Sequence, residues 1–231
     1  MRRAIVVAAA LLLARTAHAD SSWLANPDGE AWLHYELTDV QRLTRTPGDV
    51  DNVLLAGLRL HGLVARHGRL ALHAGFDLAA GSTIDRGGFA YDVALYPLGV
   101  GVLIGDASFV ALGTGVAALG ATRSIDDGVG VPLEATVELG HGTARLLGRA
   151  RAVWLAGTRD PTAPSLPVGQ ELDAMLGLRI GHHENSFGYP IGDGYFVAVA
   201  YKEIVGARYV GLTVGYSIDA GARGRRRTVL E

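Results

Sequence analysis

From residue 52 onward the chain alternates apolar and more polar positions with a period of two. Leu54, Ala56, Leu58, Leu60 and Val64 fall on one face, with Leu55, Arg59 and His61 opposite. Leu70, Leu72, Ala74, Phe76 and Leu78 repeat the pattern against His73 and Asp77. Further on, Val131, Leu133, Ala135, Val137 and Leu139 alternate with Glu134, Thr136 and Glu138. Such alternation predicts β-strands with one apolar and one polar face. Ten strands follow, near 30–39, 52–66, 69–81, 89–104, 108–123, 130–140, 143–158, 170–182, 195–204 and 207–219. Two features leave eight as the other count. Pro97 removes a ladder donor within the fourth strand and predicts a bulge or break there. The segment Glu184–Gly194 is long for a turn.

Turn chemistry supports hairpins. Arg66-His67-Gly68, His141-Gly142 and Val205-Gly206 are short connections. Longer polar loops are expected at Pro47–Asn52, Gly81–Gly88, Ser124–Gly130 and Asp160–Gly169. A turn at His141-Gly142 sets Glu138 opposite Arg145 and Glu134 opposite Arg149. A turn at Val205-Gly206 sets Tyr201 against Val210, Val199 against Leu212, Val197 against Val214 and Tyr195 against Tyr216. A slip of one residue would break both agreements, because it moves every side chain to the other face.

The first twenty residues change the picture. Arg2 and Arg3 precede an apolar run from Ala4 to Ala14, and Ala17-His18-Ala19 places small residues ahead of Asp20. This reads as a signal peptide over residues 1–19, followed by a β-barrel domain at 20–219 and a basic tail at 220–231. Removing 1–19 takes three arginines and leaves 18 basic against 23 acidic residues. A mildly acidic exported chain without a basic patch argues against nucleic acid as a partner. With no cysteine, neither disulfides nor a lipid-anchored cysteine is available. The 32 glycines sit within apolar stretches and punctuate strands rather than linkers.

At the C-terminus, Gly211-Leu212-Thr213-Val214-Gly215-Tyr216 resembles the terminal signature of bacterial outer-membrane β-barrel proteins: a glycine, then alternating hydrophobic residues ending in an aromatic. The resemblance covers one strand. It implies outer-membrane lipid as the surroundings and a barrel-assembly machinery as a partner in insertion. The fold expected is therefore an all-β, antiparallel, up-and-down transmembrane β-barrel, its apolar face turned to lipid. Tyr91, Trp154, Tyr195, Tyr201 and Tyr216 are candidates for interfacial aromatics. The alternative is a soluble periplasmic β-barrel whose apolar face lines a lipid-sized cavity.

Candidate chemistry is sparse. Arg59, Asp77, Asp92, Glu134, Glu138, Arg145, Arg149, Arg151, Asp173 and Arg179 share the polar face, and Glu134–Arg149 and Glu138–Arg145 are expected as lumen ion pairs. Ala111, Gly113, Gly115 and Ala117 are small residues on the same side. Together they describe a plugged interior, not an open porin. His182-His183-Glu184-Asn185-Ser186 is the densest run of catalytic residue types. The resemblance implies that some relatives are lipid-modifying hydrolases or acyltransferases using a serine, a histidine and an acid at a rim, which makes His183, Ser186 and Glu184 candidates. Neighbouring residues of a strand point oppositely, and no Gly-x-Ser-x-Gly motif is present, so no catalytic set is assigned. His61 and His73 face one another if the second hairpin turns at Arg66-His67-Gly68. Adjacent His182 and His183 lack the separation of tetrahedral ligands, and paired lumen histidines more often hydrogen-bond locally than bind metal, so no metal and no cofactor is expected. The function expected is a small non-porin outer-membrane barrel with a structural, adhesive or loop-recognition role. A rim-located lipid-modifying enzyme and a soluble periplasmic lipid carrier are the alternatives.

Overall fold

The computed structural model describes residues 30–43, 52–67, 69–84, 87–104, 108–121, 125–140, 144–158, 170–182, 191–204 and 207–221. Ten antiparallel strands run β1 (Glu30–Arg42), β2 (Asn52–His67), β3 (Leu70–Thr83), β4 (Gly88–Ile104), β5 (Ser108–Ala121), β6 (Ile125–Leu139), β7 (Ala144–Thr158), β8 (Gln170–His182), β9 (Ile191–Ile204) and β10 (Ala207–Gly221). Each pairs with its sequence neighbours, and β1 pairs with β10 to close the barrel. The strand count is thus ten. Residues 1–29, with the expected signal peptide, and 222–231, with most of the basic tail, lie outside the described residues.

The apolar face points outward. Leu37, Leu72, Val100, Leu112, Val131, Leu176, Val199, Leu212 and Val214 are each about half exposed, whereas Glu138 is 1 % exposed. A soluble carrier would show the reverse, and that alternative falls here. Trp154 and Tyr195 are exposed on the same exterior. Tyr195 packs edge-on against Tyr216, and Phe89 stacks on Tyr91. Tyr35, Tyr195 and Tyr216 lie on the half nearer the chain ends, while Phe89, Tyr91, Trp154 and Tyr201 lie on the half beyond. The aromatics therefore form two partial belts, as an apolar slab with two polar boundaries favours.

The ends of the barrel differ from the sequence expectation. Glu30 pairs with Gly221, so both described chain ends meet at one end of the barrel. That end also carries the connections 68–69, 105–107, 140–143 and 183–190, and the opposite end carries 43–51, 84–87, 122–124, 159–169 and 205–206. Val205-Gly206 is therefore a short turn on the end that holds the two longest connections. The expected loops Gly81–Gly88 and Ser124–Gly130 shrink because β3 and β6 extend into them. At 84–87 the turn closes on Gly87 (φ 60), whose N–H reaches Thr83 O at 2.9 Å, while Gly88 N–H reaches Thr83 Oγ1.

Two registers also differ. The β9–β10 pairing is as read from the sequence, with Tyr201 opposite Val210 and Tyr195 opposite Tyr216. In β6–β7, however, Glu134 lies opposite Arg151 and Thr136 opposite Arg149. The turn is wider than His141-Gly142: the bend falls on Gly140 (φ 137), a backbone that histidine disfavours. The shift moves partners by two positions, so every side chain keeps its face. Likewise β2 runs through His67, and His61 lies opposite Gly75 rather than His73. Pro97 marks a bulge: the β4 pairings shift between Leu95 and Leu98, and the inward positions change from Ala94 and Tyr96 to Gly101 and Leu103.

Candidate functional site

The polar face of the ten strands fills the barrel. Near the chain ends, Trp32, Leu63, Ala71, Leu103, Phe109 and Ala111 make an apolar plug. Near the opposite end, Val40, Val53, Leu55, Ala90, Ala200 and Tyr209 make another. Most of the charges lie between them, with Glu138, Arg145 and Arg179 at the level of the chain-end plug, and burial at this depth requires that each be paired and hydrogen-bonded.

The central group joins five strands. Arg149 on β7 donates from Nε to Glu134 Oε2 and from Nη2 to Asp77 Oδ2, each at 2.7 Å. Asp77 Oδ1 lies 2.8 Å from His61 Nε2, and His61 Nδ1 lies 3.1 Å from His73 Nε2. Tyr96 donates to Glu134 Oε2 at 2.9 Å. The two imidazoles and Trp32 stack nearly parallel, with interplanar angles of 6° to 16°. Glycines carve the recess. A Cβ at Gly75 would sit 2.4 Å from His61 Nδ1, and one at Gly99 or Gly113 would sit 2.8 or 3.0 Å from His73 Nδ1. Of Gly115 and Ala117, expected as small lumen residues, Ala117 is buried with Ala94, Tyr96 and Val153, and Gly115 serves the neighbouring bulge: a Cβ there would strike Leu95 O and the Pro97 ring.

Three further groups flank it. Glu36 accepts from Arg59 at 2.7 Å. Glu138 accepts from Arg145 at 2.7 Å and from Arg179 at 3.3 Å. Toward the opposite end, Arg151 bridges Asp92 and Asp173, and Lys202 Nζ contacts the same carboxylates at 3.2 and 3.1 Å. The Glu134–Arg149 and Glu138–Arg145 contacts exist, but as diagonals across the shifted register rather than directly opposed pairs. Diagonal neighbours lie within reach of long side chains.

Sequence reasoning named no partner for Arg151 and left Lys202, Tyr96 and Glu36 out of the lumen. The signal for Lys202 was available. It shares parity with Phe196, Ala198 and Ala200, opposite to Val197, Val199 and Tyr201. The partnership of Arg151 with Asp92 spans 59 residues, and no local pattern carries it.

His61, Asp77 and Glu134 offer ligand-type atoms within 4.8 Å of one another. They do not make a metal site. Both carboxylates are occupied by Arg149, and a 2.8 Å N···O contact is a hydrogen bond, shorter than two ligands flanking zinc at about 2.1 Å each would leave. Three internal voids of about 20, 10 and 20 Å³ adjoin the charged groups, each about the size of one water. His182 is the last residue of β8, paired in backbone register with Asp193 at the chain-end rim. His183, Glu184 and Ser186 lie outside the described residues.

No protein-family model and no curated protein matches the chain. Solved structures similar to it include the translocator domain of the autotransporter NalP from Neisseria meningitidis, at 11 % identity and a TM-score of 0.45, covering 93 % of this chain and 96 % of that one. The beta domain of the Bordetella autotransporter BrkA is 12 % identical with a TM-score of 0.45, covering 84 % and 99 %. Neisserial surface protein A is 8 % identical with a TM-score of 0.34, covering 84 % and 96 %. The fold assignment itself rests on the closed strand order and the outward apolar face.

Proposed function

We propose that the chain is a small, non-porin outer-membrane β-barrel with a structural, adhesive or loop-mediated recognition role. The observation that carries this reading is the filled lumen: ion-paired groups in the middle, with an apolar plug toward each end. Such an interior transmits nothing the size of a nutrient, so what the molecule offers its surroundings is its exterior and its connecting loops. The outward apolar belt and the C-terminal strand carrying Val214-Gly215-Tyr216 support insertion into the outer membrane by a barrel-assembly machinery. The leader at 1–19 supports export.

The test combines conductance and topology. Purified barrel in a planar bilayer is expected to show no sustained open-pore current, and a steady porin-like current would overturn the reading. The chain has no cysteine, so single substitutions report unambiguously in whole cells. Pro164→Cys and Val205→Cys are expected to label together with an impermeant maleimide, and His141→Cys is expected to stay unlabelled. If His141→Cys alone labels, the loops that carry the proposed recognition face inward and the reading fails. The processed chain is expected to begin at Asp20.

A further inference from the structure

The buried histidines are not explained by packing alone. Three glycines are given up to seat two imidazoles, and these make a continuous chain of contacts. Asp77 Oδ1 meets His61 Nε2 at 2.8 Å, His61 Nδ1 meets His73 Nε2 at 3.1 Å, and His73 Nδ1 meets Leu112 O at 3.4 Å. Both terminal partners only accept. Leu112 O is a carbonyl, and Asp77 is an ionised carboxylate held by Arg149. The outer two nitrogens, His61 Nε2 and His73 Nδ1, are therefore placed to donate, the first at 2.8 Å and the second at 3.4 Å. The inner contact needs a third hydrogen between His61 Nδ1 and His73 Nε2. Two neutral imidazoles supply two hydrogens, and the geometry uses three.

We propose that the His61–His73 pair is a proton-binding site that holds one proton, not two, in the folded barrel at neutral pH and acts as an internal counter-ion. The surrounding charges agree with this count. Facing the pair are Asp77 from β3, Glu134 from β6, Arg149 from β7 and the Tyr96 hydroxyl from β4. The Glu36–Arg59 pair spans β1 and β2, and the faces of β1 and β5 toward the pair are Trp32, Phe109 and the Leu112 carbonyl. Toward the chain ends, Glu138 is taken by Arg145 and Arg179. In direct contact with the pair's own network, two carboxylates, Asp77 and Glu134, share one guanidinium, that of Arg149. A second proton would leave no hydrogen-bond acceptor between the rings and would set two imidazoliums about 5 Å apart. A divalent cation would overshoot the charge and would have to displace Arg149.

The test is ring-nitrogen NMR at pH 7 on the full barrel, refolded in micelles with labelled histidine. A background in which His67, His141, His182 and His183 are glutamine simplifies the spectrum without touching the pair. Three protonated nitrogens among the pair's four are expected. Two would mean a neutral pair and four a doubly charged one, and either overturns the proposal. Independently, added zinc is expected to leave the stability of the barrel in urea unchanged, and a zinc-induced rise in stability that requires both His61 and His73 would overturn the proposal. If the variant lacking both histidines does not fold, the nitrogen count on the unaltered pair still decides.

Discussion

At the scale of single residues, the lumen is governed by which charges have a spare partner. Arg149 serves two carboxylates, so Arg149→Met strands Asp77 and Glu134 together. A loss of about 3–5 kcal/mol is expected in urea unfolding of the micelle-bound barrel, the usual cost of breaking a buried pair from one side. Arg151→Met is expected to cost a similar amount, since it strands Asp92 and Asp173, although Lys202 stays beside them. Arg145→Met is expected to cost less than about 1 kcal/mol. Arg145 is close to the rim, and Glu138 keeps Arg179. A result in which Arg145→Met costs as much as Arg149→Met would mean that burial depth does not set these energies. The residue types in this network were legible from strand parity alone, because every charge placed on the polar face is inward. The pairings were not. Parity assigns a side and leaves the level along the axis to the turns, and the turn at 140–143 is wider than its sequence suggested.

Individual strands obey simpler rules. On the exterior, substitution is read by lipid. Val199 sits between Tyr195 and Tyr201 on β9 and is about half exposed, so Val199→Arg is expected to destabilise by about 2–4 kcal/mol, as a charge placed deep in the apolar belt does. Val199→Leu is expected to be nearly neutral in the same assay. On β5, Gly115 faces the bulge, where a Cβ would come 1.9 Å from Leu95 O and 2.6 Å from Pro97 Cδ. Neither atom can withdraw without opening the β4–β5 ladder, so Gly115→Val is expected to abolish refolding, measured as loss of the heat-modifiable band on a gel. The bulge was legible because proline cannot donate to a ladder. Its fit to Gly115 was not, since that contact joins residues on different strands.

For the whole molecule, closure matters most. Joining β1 to β10 removes both sheet edges, and the ten-strand circumference leaves an interior that side chains can fill. Ten inward faces meet in one lumen, so charges from β3, β4, β6, β7, β8 and β9 become neighbours although sequence separates them by up to 110 positions. The absence of open-pore current and the labelling pattern of Pro164→Cys, Val205→Cys and His141→Cys are expectations at this scale. They depend on the barrel being whole, closed and inserted in one direction.

The sequence by itself determined the span of most strands and which face of each is apolar, because a period of two is a local property that each segment carries alone, while the choice of ten strands over eight came from the closed barrel. It also determined the β9–β10 register, where a tight turn leaves one pairing that matches apolar with apolar. Only the tertiary structure decided that the apolar face looks outward, since alternation is the same whether the barrel encloses lipid or is surrounded by it. It also decided the diagonal pairing of Glu134 with Arg149, the bridging of Asp92 and Asp173 by Arg151, and the stacking of His61 on His73. Those contacts cross the lumen or skip a rung of the ladder. Their partners are set by barrel closure and turn width, which no single segment encodes.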